Sequence, residues 1–194
     1  AWVIDATPRI LQGFEDAMTA WPVSADYRRL DSFMLLLFSL LFRGLGAARA
    51  HGLFQIIGVA TSAWAVQGFA RAAGARRPFD MISGLSFAFS GLAAHAILEG
   101  HIYHVMSPWL PLFAWVWLRS LSTSSPWRMG LLAGALFCLS MLTSAYQGLA
   151  ATVVAAGFLM GFSLKKRAFP WKPTLAVVAV VLPIATMLMY MYRG

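Results

Sequence analysis

Long apolar stretches separated by short polar or charged segments are the feature that most constrains this chain. Six such stretches cover residues 45–70, 81–98, 108–121, 129–145, 149–164 and 173–192. A membrane-spanning helix needs about 20 mostly apolar residues, because its side chains meet lipid. Of the 194 residues, 60% are hydrophobic and 11% charged, whereas soluble domains have about half and about a quarter. We therefore predict an all-α, polytopic transmembrane helix bundle and exclude soluble, disordered and disulfide-framework proteins.

The first 31 residues, which we call the N-terminal segment, differ in composition from the rest of the chain. This segment holds five of the seven acidic residues. Thr7 followed by Pro8 predicts a helix start, and apolar residues then recur on one face as far as Trp21. This pattern predicts an amphipathic helix that lies at the membrane surface.

The basic residues indicate the orientation of the bundle. Nine of the 15 Lys and Arg residues fall in three alternate loops, at residues 71–79, 119–128 and 165–172. The loops between them, 99–107 and 146–148, contain none. The positive-inside rule places the first group in the cytoplasm, so much of the net charge of +8 is an orientation signal that needs no nucleic-acid partner. We interpret Arg71, Arg76 and Arg77 as solvated charges of such a loop.

Because the first of the six predicted spans ends at the cytoplasmic loop 71–79, the N-terminal segment before it is predicted to lie on the outer face. We divide the chain into an outer-face amphipathic or re-entrant segment, residues 1–44, and a helix bundle, residues 45–194. The apolar residues 33–42 are short for a span, although a tilted seventh span over 33–48 stays open. Within the bundle, the pairs Gly130-x-x-x-Gly134 and Gly157-x-x-x-Gly161 predict close helix packing.

Three of the four histidines lie within residues 95–104, together with a carboxylate. His95 and Glu99 are four residues apart and share a helix face at the outer end of a span, and His101 and His104 follow on the outer loop. Three interpretations compete. The cluster could bind a phosphate or sugar phosphate, with the Tyr103 hydroxyl as a further donor. It could bind a metal, although the spacing matches no tight motif, or it is a hydrated interfacial loop.

Charged residues of the N-terminal segment are the second candidate for chemistry. A carboxylate on the outer face could act as a general base or hold a divalent metal, or the acids simply occupy the solvent side of the surface helix. Arg28 and Arg29 could bind lipid phosphate or pair with Asp26 and Asp31.

Several short motifs occur in an order and spacing that resemble the bacterial integral-membrane glycosyltransferases of the GT-C class. They are Phe87-Ala-Phe-Ser90-Gly91, Glu99-Gly100-His101, Pro108-Trp109-Leu110-Pro111-Leu112, Arg128-x-Gly130-Leu-Leu-Ala-Gly134 and Leu142-Thr143-Ser144-x-Tyr146. The resemblance covers about residues 45–165. It implies a multi-pass protein of the bacterial inner membrane that transfers a sugar from a polyprenyl-phosphate donor at the outer face.

In such enzymes the first outer loop carries a catalytic acid, and residues 1–44 resemble the later part of that loop. The resemblance implies a catalytic acid that is Asp5 or lies outside this chain, and we assign the phosphate to His101 and His104. The residue patterns add four further candidates for substrate binding: Glu99, Tyr103, Arg28 and Arg29. It leaves the need for a divalent metal open. Family members are longer and begin with a span before this loop, so we expect the chain to be part of a longer protein.

Two other functions fit the sequence. The chain could be a non-catalytic membrane subunit that packs among partner subunits in a larger complex. It could also be a transporter with His95 and Glu99 as a proton relay, although no inverted repeat is visible.

Overall fold

The computed structural model of the protein describes residues 47–90, 108–143 and 145–191. Within these ranges there are six α-helices and no strand, which confirms the all-α prediction for that part of the chain. The helices are α1 (Ala47–Ala72), α2 (Phe79–Ala88), α3 (Trp109–Ser120), α4 (Pro126–Thr143), α5 (Ala145–Lys166) and α6 (Trp171–Met191). The predicted surface helix and the whole of segment 1–44 lie outside the described residues.

Each described helix overlaps one of the six predicted apolar stretches. Two helices, Pro126–Thr143 and Tyr146–Lys166, are long and apolar enough to cross a membrane by length and composition. Phe79–Ala88 and Trp171–Met187 are shorter apolar helices. Helix α1 has 26 residues but carries polar side chains such as Gln67 along its length. Length and composition alone therefore identify two candidate spans among the described helices, not six.

Successive helices run in opposite directions, and α3 and α4 lie at the centre of the bundle. Helix α5 packs against both, α6 packs against α4, and α1 packs against both α3 and α2. The aromatic core lies where α3, α4 and α5 meet. Phe113 is fully buried and contacts Phe137 edge to face, with ring centroids 5.4 Å apart. The buried Trp117 donates its indole N–H to the carbonyl oxygen of Ala155 at 3.3 Å, which ties α3 to α5.

Three of the described connections lie at one end of the bundle, which we call the basic end. It contains Arg71, Arg76, Arg77, Arg119, Arg128, Lys165, Lys166, Arg167 and Lys172. The first connection reverses the chain through a Schellman motif: Ala75 N–H donates to the Ala70 carbonyl, and Gly74 N–H donates to the Arg71 carbonyl. Gly74 has a φ of 101°, a conformation that favours glycine.

The two predicted small-residue pairs have different surroundings. A Cβ atom on Gly130 would lie 2.7 Å from the Cβ of Ala176 and 2.8 Å from the carbonyl oxygen of Pro173, and Gly134 meets α6 in the same way one turn later. The close approach of α4 and α6 therefore depends on these glycines, as the pattern predicts. Gly157 and Gly161 have no such neighbour within 4 Å among the described residues.

Gly130→Ala is expected to destabilise the protein, because the added methyl overlaps backbone and side-chain atoms of α6. Overpacking of this kind costs about 1–3 kcal/mol. Gly157→Ala is the matched control, since the same change at an open helix position is expected to stabilise by about 0.5–1 kcal/mol. Thermal unfolding of the purified protein in mild detergent measures both. Equal effects of the two substitutions would contradict the packing of α4 on α6.

Candidate functional site

All residues predicted for the chemical site lie outside the described part of the chain. They are Asp5, Arg28, Arg29, Glu99, His101, Tyr103 and His104, and the same holds for His95. The described helices on either side of residues 91–107 are α2, which leads away from the basic end, and α3, which leads back to it.

Four of the five motifs that carry the resemblance fall wholly or partly on described residues, among them Leu142-Thr143. The Thr143 side chain is fully buried near the C-terminal end of α4, and its hydroxyl donates to the carbonyl oxygen of Leu139 at 2.7 Å. Ser140 makes the same type of bond to Leu136 at 3.0 Å. These hydroxyls satisfy their hydrogen-bonding capacity within the helix, which is how polar side chains are accommodated in an apolar bundle.

The first polar cluster of the basic end joins α1 to α2. The guanidinium Nε of Arg71 donates to Oδ2 of Asp80, and the backbone N–H of Met81 donates to Oδ1 at 2.8 Å. The Asp80 side chain is fully buried, whereas that of Arg71 is 48% exposed. Arg71, Arg76 and Arg77 are all exposed, as predicted, and Arg71 in addition pairs with a buried carboxylate that the sequence analysis did not assign to it.

The surroundings of Asp80 favour its charged form. The hydrogen bond from Arg71 lowers the pKa of the Asp80 carboxyl most, and burial opposes this in part. The Met81 N–H and the positive charges of Arg71 and Arg77 lower it further, so that the pKa lies below its ordinary value. Asp80 is the sole carboxylate among the described residues, and this was the sequence signal that could have indicated a buried ion pair.

A groove between α1 and α3 opens beside this ion pair. It has a volume of about 300 Å³ and is lined by Trp64, Gln67, Gly68, Arg71, Ala72, Trp115 and Arg119. The Trp64 and Trp115 rings meet edge to face with centroids 5.0 Å apart. A Cβ atom on Gly68 would lie 2.6 Å from the Trp115 ring, so glycine is needed for the indole to fit against α1. We call this feature the arginine–tryptophan groove.

A second cavity of about 250 Å³ lies at the same end, between the start of α6 and the end of α5. Trp171 lines it and meets Trp127 edge to face, with ring centroids 6.4 Å apart. The Lys172 ammonium lies 5.5 Å from the centroid of the Trp171 ring, within reach of a cation–π interaction. Two tryptophans and a lysine at neighbouring helix starts are typical of a membrane–water boundary.

No group of three or more His, Cys, Asp or Glu side chains that could hold a metal occurs among the described residues. Comparison with known proteins adds no family: the chain matches no protein-family model, no curated protein and no solved structure. The function therefore has to be inferred from the sequence motifs and the physical character of the bundle.

Asp80→Asn is expected to lower the melting temperature at pH 7, because the amide cannot balance the charge of Arg71. A carboxyl whose pKa is lowered on folding stabilises the protein above its ordinary pKa of about 4, and this stabilisation is lost as the pH falls through the folded value. The wild type and the variant should therefore converge in thermal unfolding on acidification below about pH 4. Arg76→Gln, an exposed change in the same loop, is the control. A difference that persists unchanged at low pH would contradict the role of the carboxylate.

Proposed function

We propose that this chain is a multi-pass membrane protein of six spans, with its basic end in the cytoplasm. The observation that carries the proposal is the apolar character of the outward-facing helix surfaces. On α5, Leu149, Val153, Met160 and Leu164 are 65%, 65%, 66% and 74% exposed. Soluble proteins rarely expose apolar patches above a few hundred Å². Lipid is the environment that covers such faces without cost.

The lengths of the central helices support this placement. Helices α4 and α5 have 18 and 22 residues, which corresponds to about 27 Å and 33 Å at 1.5 Å per residue. The hydrocarbon core of a bilayer is about 30 Å thick. Apart from Arg49 at the start of α1, the basic residues of the described ranges all gather at the basic end. The positive-inside rule then gives the orientation.

The orientation predicts which positions an impermeant reagent reaches. In a Cys138→Ala background, Ser124→Cys in the α3–α4 connection is expected to react with an impermeant maleimide only after cells are permeabilised. Tyr146→Cys, at the opposite end where Tyr146 is 78% exposed, is expected to react in intact spheroplasts. Labelling is measured by the mass shift of the purified protein.

The background protein without cysteine controls for non-specific labelling. Reaction of both positions from the same side of the membrane would contradict the antiparallel spanning arrangement. Reaction of Ser124→Cys alone in spheroplasts would reverse the orientation and place residues 91–107 in the cytoplasm.

For the activity, we propose a GT-C-like transferase that moves a sugar from a polyprenyl-phosphate donor to an acceptor at the outer face of a bacterial inner membrane. The order of the sequence motifs supports it. In this proposal Asp5 deprotonates the acceptor hydroxyl, and His101 and His104 hold the phosphate leaving group. Glu99, Tyr103, Arg28 and Arg29 bind the substrates. A divalent metal would bind to carboxylates of the N-terminal segment.

The double substitution of His101 and His104 by alanine is expected to reduce lipid-linked sugar transfer by about a hundredfold or more, because the charge that develops on the departing phosphate loses its donors. Transfer of radiolabelled sugar from a polyprenyl-phosphate donor in membranes measures this. His51→Ala is the matched control, since His51 lies at the start of α1 and has no role in the proposed site. Full activity in the double variant would refute the site.

The alternative is a non-catalytic subunit of a larger membrane complex. It is favoured by the exposed position of Gly157 and Gly161 on α5, because no described residue covers this small-residue face, which could take another helix. The same preparation distinguishes the two functions. Stoichiometric co-isolation with other chains, together with no transfer by the wild type, would favour the subunit.

A further inference from the structure

We propose that the arginine–tryptophan groove binds the phosphate headgroup of an anionic phospholipid from the leaflet at the basic end. This inference rests on the proposed membrane placement, but it is independent of the proposed transferase activity. The charge, the donors and the opening of the groove all favour this class of ligand.

The charge of the groove is positive and only partly balanced. Arg71 and Arg119 lie in its wall, and Asp80, which pairs with Arg71, is the sole carboxylate within the described ranges. Asp80 accepts from Nε of Arg71, which fixes that side chain and leaves the two terminal NH₂ groups free of this bond. Arg119 is exposed and has no ion pair among the described residues. Two guanidinium groups at one opening are suited to bind the oxygens of a phosphate.

The groove combines its two arginines with the rings of Trp64 and Trp115. Trp64 is 57% exposed, and Ile57 lies two helical turns before it on α1, also partly exposed. An acyl chain that descends from a headgroup at Arg119 would therefore pass along Trp64 and Ile57. A free phosphate ion would use only the arginines. The combination of a cationic opening and exposed apolar side chains beside it favours a lipid over a soluble anion, and basic pockets between helices at the cytoplasmic side commonly bind such headgroups.

The test uses the full chain, purified in mild detergent from membranes that have first been washed with alkaline carbonate. Native mass spectrometry measures the apparent dissociation constants of phosphatidylglycerol and phosphatidylcholine, with inorganic phosphate as a competitor. We expect phosphatidylglycerol to bind more tightly than phosphatidylcholine, and millimolar phosphate not to displace it. Arg119→Gln should weaken phosphatidylglycerol binding about tenfold, the typical value of one charge-assisted contact, and Arg119→Lys should restore most of it.

Arg128→Gln is the matched control, because Arg128 is an exposed arginine at the same end outside the groove. Equal weakening by Arg128→Gln, or none by Arg119→Gln in a variant that unfolds at the wild-type temperature, would overturn the proposal. Equal binding of phosphatidylcholine would overturn it as well, and so would complete displacement by free phosphate. Release of the protein by carbonate would instead refute the membrane placement, so the two failures are distinguishable.

Discussion

Close packing of α4 against its neighbours is the interaction on which the rest of the structure depends. Helix α4 presents Gly130 and Gly134 to α6, and the neighbouring Phe137 contacts Phe113 of α3. If the helices lie in lipid, as proposed, there is little hydrophobic driving force between them, and van der Waals contact and interhelical hydrogen bonds hold them together. The missing side chains at the two glycines bring backbone atoms of α4 and α6 into contact, and the aromatic rings fill the adjoining space against α3. The positions of α3 and α6 in turn determine the walls of the two cavities at the basic end.

The sequence predicted where helices lie more successfully than which helices touch. Charges, prolines and the Gly74 turn mark the helix ends, and these are local properties of the chain. Which helices pack against each other is not a local property of the chain. Gly130-x-x-x-Gly134 and Gly157-x-x-x-Gly161 have the same spacing, yet the first contacts α6 and the second contacts no described helix. The pattern states only that a helix could approach closely, whereas the tertiary arrangement decides whether one does.

The basic end shows a second limit of the same kind. Counting Lys and Arg residues gives a charge distribution, but it treats every arginine of a loop alike. Arg71 and Asp80 are nine residues apart, and only the chain reversal after α1 brings them together. The arginine–tryptophan groove likewise combines residues from α1 and α3 that are about fifty positions apart in the chain. For the predicted chemical site, from Asp5 to His104, the motifs remain the support, since those residues lie outside the described ranges.

The positive-inside rule requires only that enough basic residues lie near the cytoplasmic helix ends, and it sets no condition on their geometry. The position of Arg119 one helical turn from Trp115, across from an arginine fixed by a buried carboxylate, is more specific than orientation demands. If the bundle spans a bilayer, about 30 Å of hydrocarbon separates this groove from the outer face. A headgroup held there could not serve as the donor of a reaction at the outer face. Its effect would be to fix α1 against α3 and to set the depth of the bundle in the membrane, so the two ends would divide anchoring and chemistry between them.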